Sequence, residues 1–553
     1  MPKNMTKLPL QLLCCALLSN WAFAANPKIS LDLSGADQRS TSEIIVQFAH
    51  PPTEAQHDKI RSRGGFLRAE LPLVRAGTYS MPTSALESLA SDPEVVYISP
   101  NRKLRGSLDN VTAAVNASAA WDIGLTGAGV GIALIDSGIA LGQDIGSGSV
   151  VYNESWLDNN NPQDLYGHGT HVAGIIAGSG AASHCYNCFR NFQGLATGVK
   201  IVNLRVLDQN GEGTDSNVIA AIDKAISLKS AYNIRVINLS LGRPVYESYT
   251  KDPLCQAVEA AWKAGIVVVV AAGNDGRDNT QGTNGYGTIG SPGNDPYVIT
   301  VGAMRDMGTP TRTDDLMASY SSKGPTMVDH IVKPDLVAPG NQVVSVYSSS
   351  GSLLLSYPGN NVPDSFFMNY GASSSSFAYY ILSGTSMATP VVSGAVALLL
   401  QSRPSLTPDQ VKAKLMLTAY KTFPATSVAT DVTTGVKYVS NYDVFTVGAG
   451  YLDIKAALAD KTKFSGTALS PVATFDSGTS TTAPVCAEGY VCYTLPVSGS
   501  TSLWGSTSLW GSTSLWGSTS LWGSTSLWGS TSLWGSSDTD AGEATLLTIN
   551  GEN

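Results

Sequence analysis

Val130-Gly131-Ile132-Ala133-Leu134-Ile135-Asp136 is apolar at every position until it ends on a carboxylate. A strand that is apolar on both faces belongs in a parallel sheet covered by helices, because a half-exposed strand would alternate. Ile201–Val206, Val236–Leu239 and Ile266–Ala272 repeat the pattern. Between them, Asp215–Ser230 and Pro253–Lys263 carry helical spacing, and Ser386–Gln401 reads as a long apolar helix rich in small residues. The fold class predicted is α/β, a doubly wound and mostly parallel sheet, whose site lies where the strands end.

Upstream the pattern changes. Ile44–Phe48, Phe66–Glu70, Ala76–Met81 and Val95–Ser99 read as strands, and Thr53–Arg63 and Ser84–Ala90 as helices. Thr53 with Gln56 and Ser84 with Glu87 have capping-box spacing. The order β-α-β-β-α-β is the split βαβ motif, a small α+β ferredoxin-like unit. Before it, Lys3 and Lys7 precede the apolar run Leu8–Leu18 and the small-x-small end Ala22-Phe23-Ala24, which reads as a cleaved secretory signal. That run is too short to span the roughly 20 residues a bilayer requires. No other apolar run is long enough, so no transmembrane segment is expected in the mature chain.

The 553 residues include 34 Lys and Arg against 43 Asp and Glu, a net charge of −9 that argues against a nucleic-acid partner. A 43% hydrophobic share with 55 Gly fits a large glycine-rich globular protein. The last stretch is rich in Ser, Thr and Gly, and residues 501–536 are six copies of Thr-Ser-Leu-Trp-Gly-Ser. An even period puts every Trp of an extended chain on one face. That row could be an aromatic platform for a polymer, a partner or an export machine; a flexible tail born of duplication is the simpler reading. Outside the leader stand Cys185, Cys188, Cys255, Cys486 and Cys492. Cys486 and Cys492 bracket a short loop and are expected to pair. Cys185 and Cys188 suit a local disulfide or half a zinc site, for which no second ligand pair is evident. Cys255 lies in a helix-like stretch and reads as a buried small side chain.

Four polar residues stand where apolar strands end or helices begin. Asp136 closes its strand; His168 lies in Gly167-His168-Gly169-Thr170-His171; Asn274 follows Val267–Gly273; and Ser386 sits in Ser383-Gly384-Thr385-Ser386-Met387-Ala388-Thr389-Pro390. The last segment is a glycine turn into a helix, with Pro390 expected in its first turn. A hydroxyl attacks a peptide bond only when a base takes its proton and a third group orients that base. His168 and Asp136 supply those types. The oxyanion needs donors, and the Asn274 amide with the Ser386 backbone N–H would provide them.

Leu134-Ile135-Asp136-Ser137-Gly138, the His168 and Ser386 segments, Ala271-Ala272-Gly273-Asn274, Ser319–Pro325 and Lys333–Gly340 resemble the subtilisin-like serine proteases. The resemblance implies a secreted endopeptidase with triad Asp136, His168 and Ser386, an oxyanion hole of Asn274 and Ser386, and no cofactor required for catalysis. It implies a structural role for His171. It also implies protein or peptide substrates, lying as an added strand between Gly211-Glu212-Gly213 and Ser240-Leu241-Gly242. Ala271, Ala272 and Gly273 match a wall of the main side-chain pocket and Gly290 its floor; their small size predicts large apolar residues before the scissile bond. Glu212 reads as a solvated rim carboxylate.

The domain expectation is then a signal peptide at 1–24, an inhibitory propeptide at 25–105, a catalytic domain at 106–460 and a C-terminal region at 461–553. The propeptide would act as an intramolecular inhibitor and be cleaved near Lys103–Asn110. A structural calcium is not carried over, because an insertion between Gly178 and Gly194 falls where relatives often build that site, and no metal motif replaces it. A second insertion, Val346–Leu382, reads as a lid or a surface loop. Two alternatives stand beside this reading: a dedicated processing protease for one partner, and a non-catalytic surface binder working through the Trp repeats.

Overall fold

Thr41–Phe48 forms the first strand, β1, followed by α1 (Glu54–Arg61), β2 (Phe66–Leu71), β3 (Ala76–Pro82), α2 (Leu86–Ala90) and β4 (Val95–Pro100). The four strands make an antiparallel sheet in the order β2-β3-β1-β4. Alternation along β1 turns Ile44, Val46 and Phe48 inward, where they meet Ile60, Tyr79, Met81, Leu86, Leu89 and Ile98. At α1, Gln56 Oε1 accepts the Thr53 N–H at 2.9 Å. The second capping box expected from sequence does not form. Thr83–Ala85 is a 3₁₀ turn and α2 starts only at Leu86. The Thr83 hydroxyl is bonded to Ser40 and Ser42, which ties the turn to the start of β1 and tightens it.

This computed structural model divides the chain into two units, residues 1–104 and 105–553. It describes residues 26–30, 33, 40–71, 74–100, 107–157, 160–280, 282–368, 377–431, 434–476, 481–485 and 552. The leader, the cleavage region ahead of residue 107, Cys486, Cys492 and the Trp repeats lie outside the described residues.

The second unit begins with α3 (Ser107–Ala114) and α4 (Ser118–Trp121). Then come β5 (Gly131–Asp136), β6 (Val150–Ser155), α5 (His168–Ala177), β7 (Lys200–Arg205), α6 (Asp215–Tyr232), β8 (Ile234–Leu239), α7 (Pro253–Lys263) and β9 (Val267–Ala271). After them follow β10 (Ile299–Arg305), β11 (Leu316–Met317), β12 (Leu336–Pro339), β13 (Val343–Val346), α8 (Ser352–Ser356), β14 (Asn361–Pro363), β15 (Phe377–Leu382) and α9 (Thr385–Ser402). The large sheet runs β11-β10-β9-β8-β5-β7-β6, with β12 also paired to β10. Its pairings are parallel except that of β11 with β10.

Every residue of β5, β9 and β10 is buried, which explains why β5 and β9 read as apolar runs. Helix α9 packs on β8, β9, β10 and α5, while α6 packs on β5, β7, β8 and α7. Among the described residues α9 is long and apolar enough to cross a membrane, but it is the buried core helix of this unit. Helix α7 starts at Asp252, whose carboxylate accepts the Leu254 N–H at 2.9 Å, with Pro253 in its first turn. Cys255 is buried on that helix.

The two insertions fold against each other. Cys185 and Cys188 are joined in a disulfide, so the pair is closed to a metal. The Phe189 N–H donates to the Phe367 carbonyl at 2.9 Å, and Phe192 stacks among Phe366, Phe367 and Tyr379. Nearby, Asp144 is engaged by the Tyr379 hydroxyl at 2.6 Å and the Ala182 N–H at 2.8 Å. Among the described residues no cluster of three or more His, Cys, Asp or Glu could hold a metal ion.

Candidate active site

Parallel pairing brings the ends of β5, β7, β8 and β9 to one edge of the sheet, and the polar residues that follow them meet there. Asp136 ends β5 and is 1% exposed. Its Oδ1 accepts the His168 Nδ1–H at 2.8 Å and the Ser137 N–H at 2.7 Å. His168 opens α5, and the glycines around it have separate reasons. Gly167 holds φ 112° at the N-cap. A Cβ on Gly169 would stand 2.3 Å from the Gly138 carbonyl oxygen, so only glycine lets this helix start reach the end of β5.

The first turn of α5 is organised by Asp164, a residue that sequence reasoning missed. It is fully buried, and Oδ1 accepts the Gly167 N–H at 2.7 Å and the Ser137 hydroxyl at 2.9 Å. Oδ2 accepts both the N–H and the hydroxyl of Thr170, at 2.8 and 2.6 Å. Orphan donors of the helix start are thereby satisfied, and the His168 backbone is fixed. Burial pushes the Asp164 carboxyl up, against these hydrogen bonds. Burial pulls His168 down, but the Asp136 charge and hydrogen bond, with a contribution from Asp164, outweigh it and raise the imidazole above its ordinary 6.5. His171, by contrast, is buried and pushed down to about 3, its Nε2 directed at the carbonyls of Val343 and Tyr380 at 3.0 and 3.1 Å. It is neutral and structural.

Ser386 is the second residue of α9. Pro390 lies inside this helix and not in its first turn as expected. A proline has no N–H to give the carbonyl four residues back, so the Ser386 carbonyl is freed. The Ser240 hydroxyl takes it at 2.8 Å, and in return the Ser386 hydroxyl donates to the Ser240 carbonyl at 3.1 Å. In this resting arrangement the Ser386 hydroxyl is therefore bonded to the groove edge, while His168 and Ser386 face the same cleft. Asn274 follows β9; its Oδ1 accepts the Thr385 N–H at 2.9 Å and the Thr385 hydroxyl at 3.2 Å. The Thr385 N–H, which can only donate, fixes which end of the amide is the oxygen and leaves the NH₂ as the end available to a ligand.

The cleft encloses about 530 Å³ and is lined by His168, Ser386 and Asn274 together with Gly211, Glu212, Gly213, Ser240, Leu241 and Gly242. Leu353 and Leu382 also line it, so the second insertion contributes to its wall. Leu353 sits in α8, where its N–H donates to the Tyr166 carbonyl at 3.0 Å and its own carbonyl accepts the Tyr380 hydroxyl at 2.9 Å. Ala271, Ala272, Gly273 and Gly290 are not among the lining residues. They pack beside it: the Gly290 N–H donates to the Ala272 carbonyl at 3.0 Å, and Ser291 bridges to Arg243 next to Gly242. Arg243 is held by Asp215 and Asp252, which fixes the groove edge from behind.

The model of the subtilase family matches residues 127–450. The serine protease AprX of Bacillus subtilis (strain 168) is 36% identical over 359 residues, covering 63% of this chain and 74% of that one. The extracellular serine proteinase of Thermus sp. (strain Rt41A) is 32% identical, covering 62% and 70%. Subtilisin E of Bacillus subtilis (strain 168) is 33% identical, covering 66% and 80%.

Proposed function

Because this chain belongs to the subtilase family and is a subtilisin-like serine endopeptidase, we propose that it works through Ser386 as nucleophile, His168 as general base and Asp136 as the group that orients and charges the base. The family's chemistry acts on protein or peptide substrates and needs no catalytic cofactor. The observation that carries the assignment is the buried Asp136–His168 hydrogen bond facing the cleft that Ser386 also lines.

A bound peptide displaces the Ser386 hydroxyl from the Ser240 carbonyl toward the His168 Nε2. Proton transfer to His168 accompanies attack on the scissile carbonyl, and the imidazolium is stabilised by Asp136. The oxyanion takes hydrogen bonds from the Asn274 NH₂ and the Ser386 N–H at the start of α9. His168 then protonates the leaving amine, and water repeats the sequence on the acyl-enzyme. The substrate main chain lies between Gly211–Gly213 and Ser240–Gly242, which line the cleft. Residues 25–105 act as an inhibitory propeptide of ferredoxin-like fold that the enzyme removes itself. The leader and the Cys185–Cys188 disulfide support a location outside the cytoplasm.

The test needs no substrate guess. The full chain and its Ser386→Ala variant are expressed side by side and followed by intact mass and N-terminal sequencing. The wild type should lose the first unit, which ends at Leu104, and the variant should keep it. Retention in a folded wild type, or loss from both, would defeat the self-processing assignment.

Asn274→Ala should lower kcat by about 10²- to 10³-fold with KM little changed, the size seen for one oxyanion donor in subtilisin itself. Full activity in this variant would remove Asn274 from the mechanism.

The reaction needs neutral His168. Since its pKa is raised, kcat/KM should fall as pH drops, with the inflection above 6.5. The same shift acts on stability in the opposite sense: the gain from charged His168 is complete below the unfolded pKa and disappears as pH rises through the folded one. A rate profile against pH, set beside denaturation midpoints, separates the two.

A further inference from the structure

Far along the chain from the triad, Glu552 is buried in the second unit, 6% exposed. Its Oε2 accepts from Arg277 Nη2 at 2.8 Å and from the Ser319 hydroxyl. Its Oε1 accepts the Ser319 N–H at 2.9 Å and faces Arg305 Nη1 at 3.5 Å. The main chain is held as well. Asn341 donates its side-chain N–H to the Glu552 carbonyl and accepts the Glu552 N–H, both at 2.9 Å. The niche thus reads a carboxylate and the peptide group that carries it.

Two arginine side chains only 6% and 10% exposed form its base. Buried guanidinium groups demand an anion, because removal of their partner leaves uncompensated charge. Arg277 also meets Asp431, but among the described residues Glu552 is the acidic partner of Arg305. The niche has a defined place: Arg277 lies three residues beyond Asn274, the Gly276 N–H donates to the Tyr320 carbonyl at 2.8 Å, and Tyr320 follows Ser319.

The other end of the C-terminal region is also secured to this unit. The Ser470 N–H donates to the Pro296 carbonyl, the Val332 N–H to the Pro471 carbonyl and the Ala473 N–H to the His330 carbonyl, at 2.9, 2.8 and 2.7 Å. We infer that Arg277, Arg305, Ser319 and Asn341 form a carboxylate-binding site whose ligand is this chain's own Glu552, so that the chain is held to the protease unit at Ser470–Ala473 and again at Glu552.

The niche is independent of the proposed mechanism, and its test is run in the Ser386→Ala background, where turnover is about 10⁶-fold lower. Amide hydrogen exchange is compared between the full chain and its Glu552→Ala, Glu552→Gln and residue 551–553 deletion forms. Loss of a charged acceptor should speed exchange of the Ser319 amide about tenfold or more in the alanine and deletion forms, and less in the glutamine form. Exchange over β5 should not change. Equal Ser319 exchange in all four proteins would overturn the site. Light scattering provides the second arm: a monomer throughout supports a ligand from the same chain, whereas a dimer lost on Glu552→Ala would assign it to a second copy and overturn the assignment to this chain's own Glu552.

Discussion

Ser386→Ala should lower kcat on a peptide substrate by about 10⁶-fold while leaving KM nearly unchanged, the loss seen when the nucleophile of subtilisin is removed. The small effect on binding follows from the structure. The Ser386 hydroxyl in the resting site contacts the Ser240 carbonyl, and the groove edges are built by other residues. What remains should still exceed the uncatalysed rate by about 10³- to 10⁴-fold, because the oxyanion donors and the groove persist. Initial rates under saturating substrate, with trace wild type excluded by active-site titration, provide the check. A loss of only tenfold would mean that another group attacks.

Asp136→Asn should lower kcat by about 10⁴-fold, the size of effect known for this substitution in the serine-protease triad. Asp136 binds His168 and Ser137 through one oxygen, and Oδ2 is buried with no protein hydrogen bond. An asparagine that keeps its oxygen toward His168 preserves the geometry but loses the charge that stabilises the imidazolium. One turned the other way presents N–H to Nδ1 and forces the wrong tautomer. Burial lowers the His168 pKa and the Asp136 charge is what chiefly opposes it, so the charge-free variant should move the inflection of its residual activity to lower pH. A variant with normal activity and an unmoved inflection would show that His168 is charged and oriented by something else.

Much of this site was legible in the sequence because backbone sterics dictated it. The close approach of Gly169 to Gly138 demands glycine, and the apolar runs of β5 and β9 demand cover on both faces, so motif and fold could be read together. Asp164 left no such trace. It lies in a loop without periodicity, and its partners Ser137 and Thr170 reach it only after β5 and α5 have packed. Leu353 was hidden for a related reason: it lies in a Ser- and Tyr-rich insertion, and it is the tertiary bonds to Tyr166 and Tyr380 that hold it at the cleft. Glu552 is separated from Ser319 by 233 positions, and no local pattern spans such a distance. Ser84 was misread because the turn at Thr83 is held by Ser40 and Ser42, side chains far away in sequence, whereas Pro390 falls in the sixth position of α9, beyond its first turn.

The exchange of hydrogen bonds between Ser240 and Ser386 joins two positions 146 residues apart. Because Pro390 withdraws a helical donor, the carbonyl that holds Ser240 belongs to the nucleophile's own peptide group. The reference edge for the substrate and the attacking atom are thus gauged from one point, and errors in their separation do not accumulate through the intervening chain. A misplacement of about 1 Å can cost 10²-fold in rate. Thermal breathing of the outer loops can therefore move the groove as a whole while the one spacing that sets the rate keeps its tolerance.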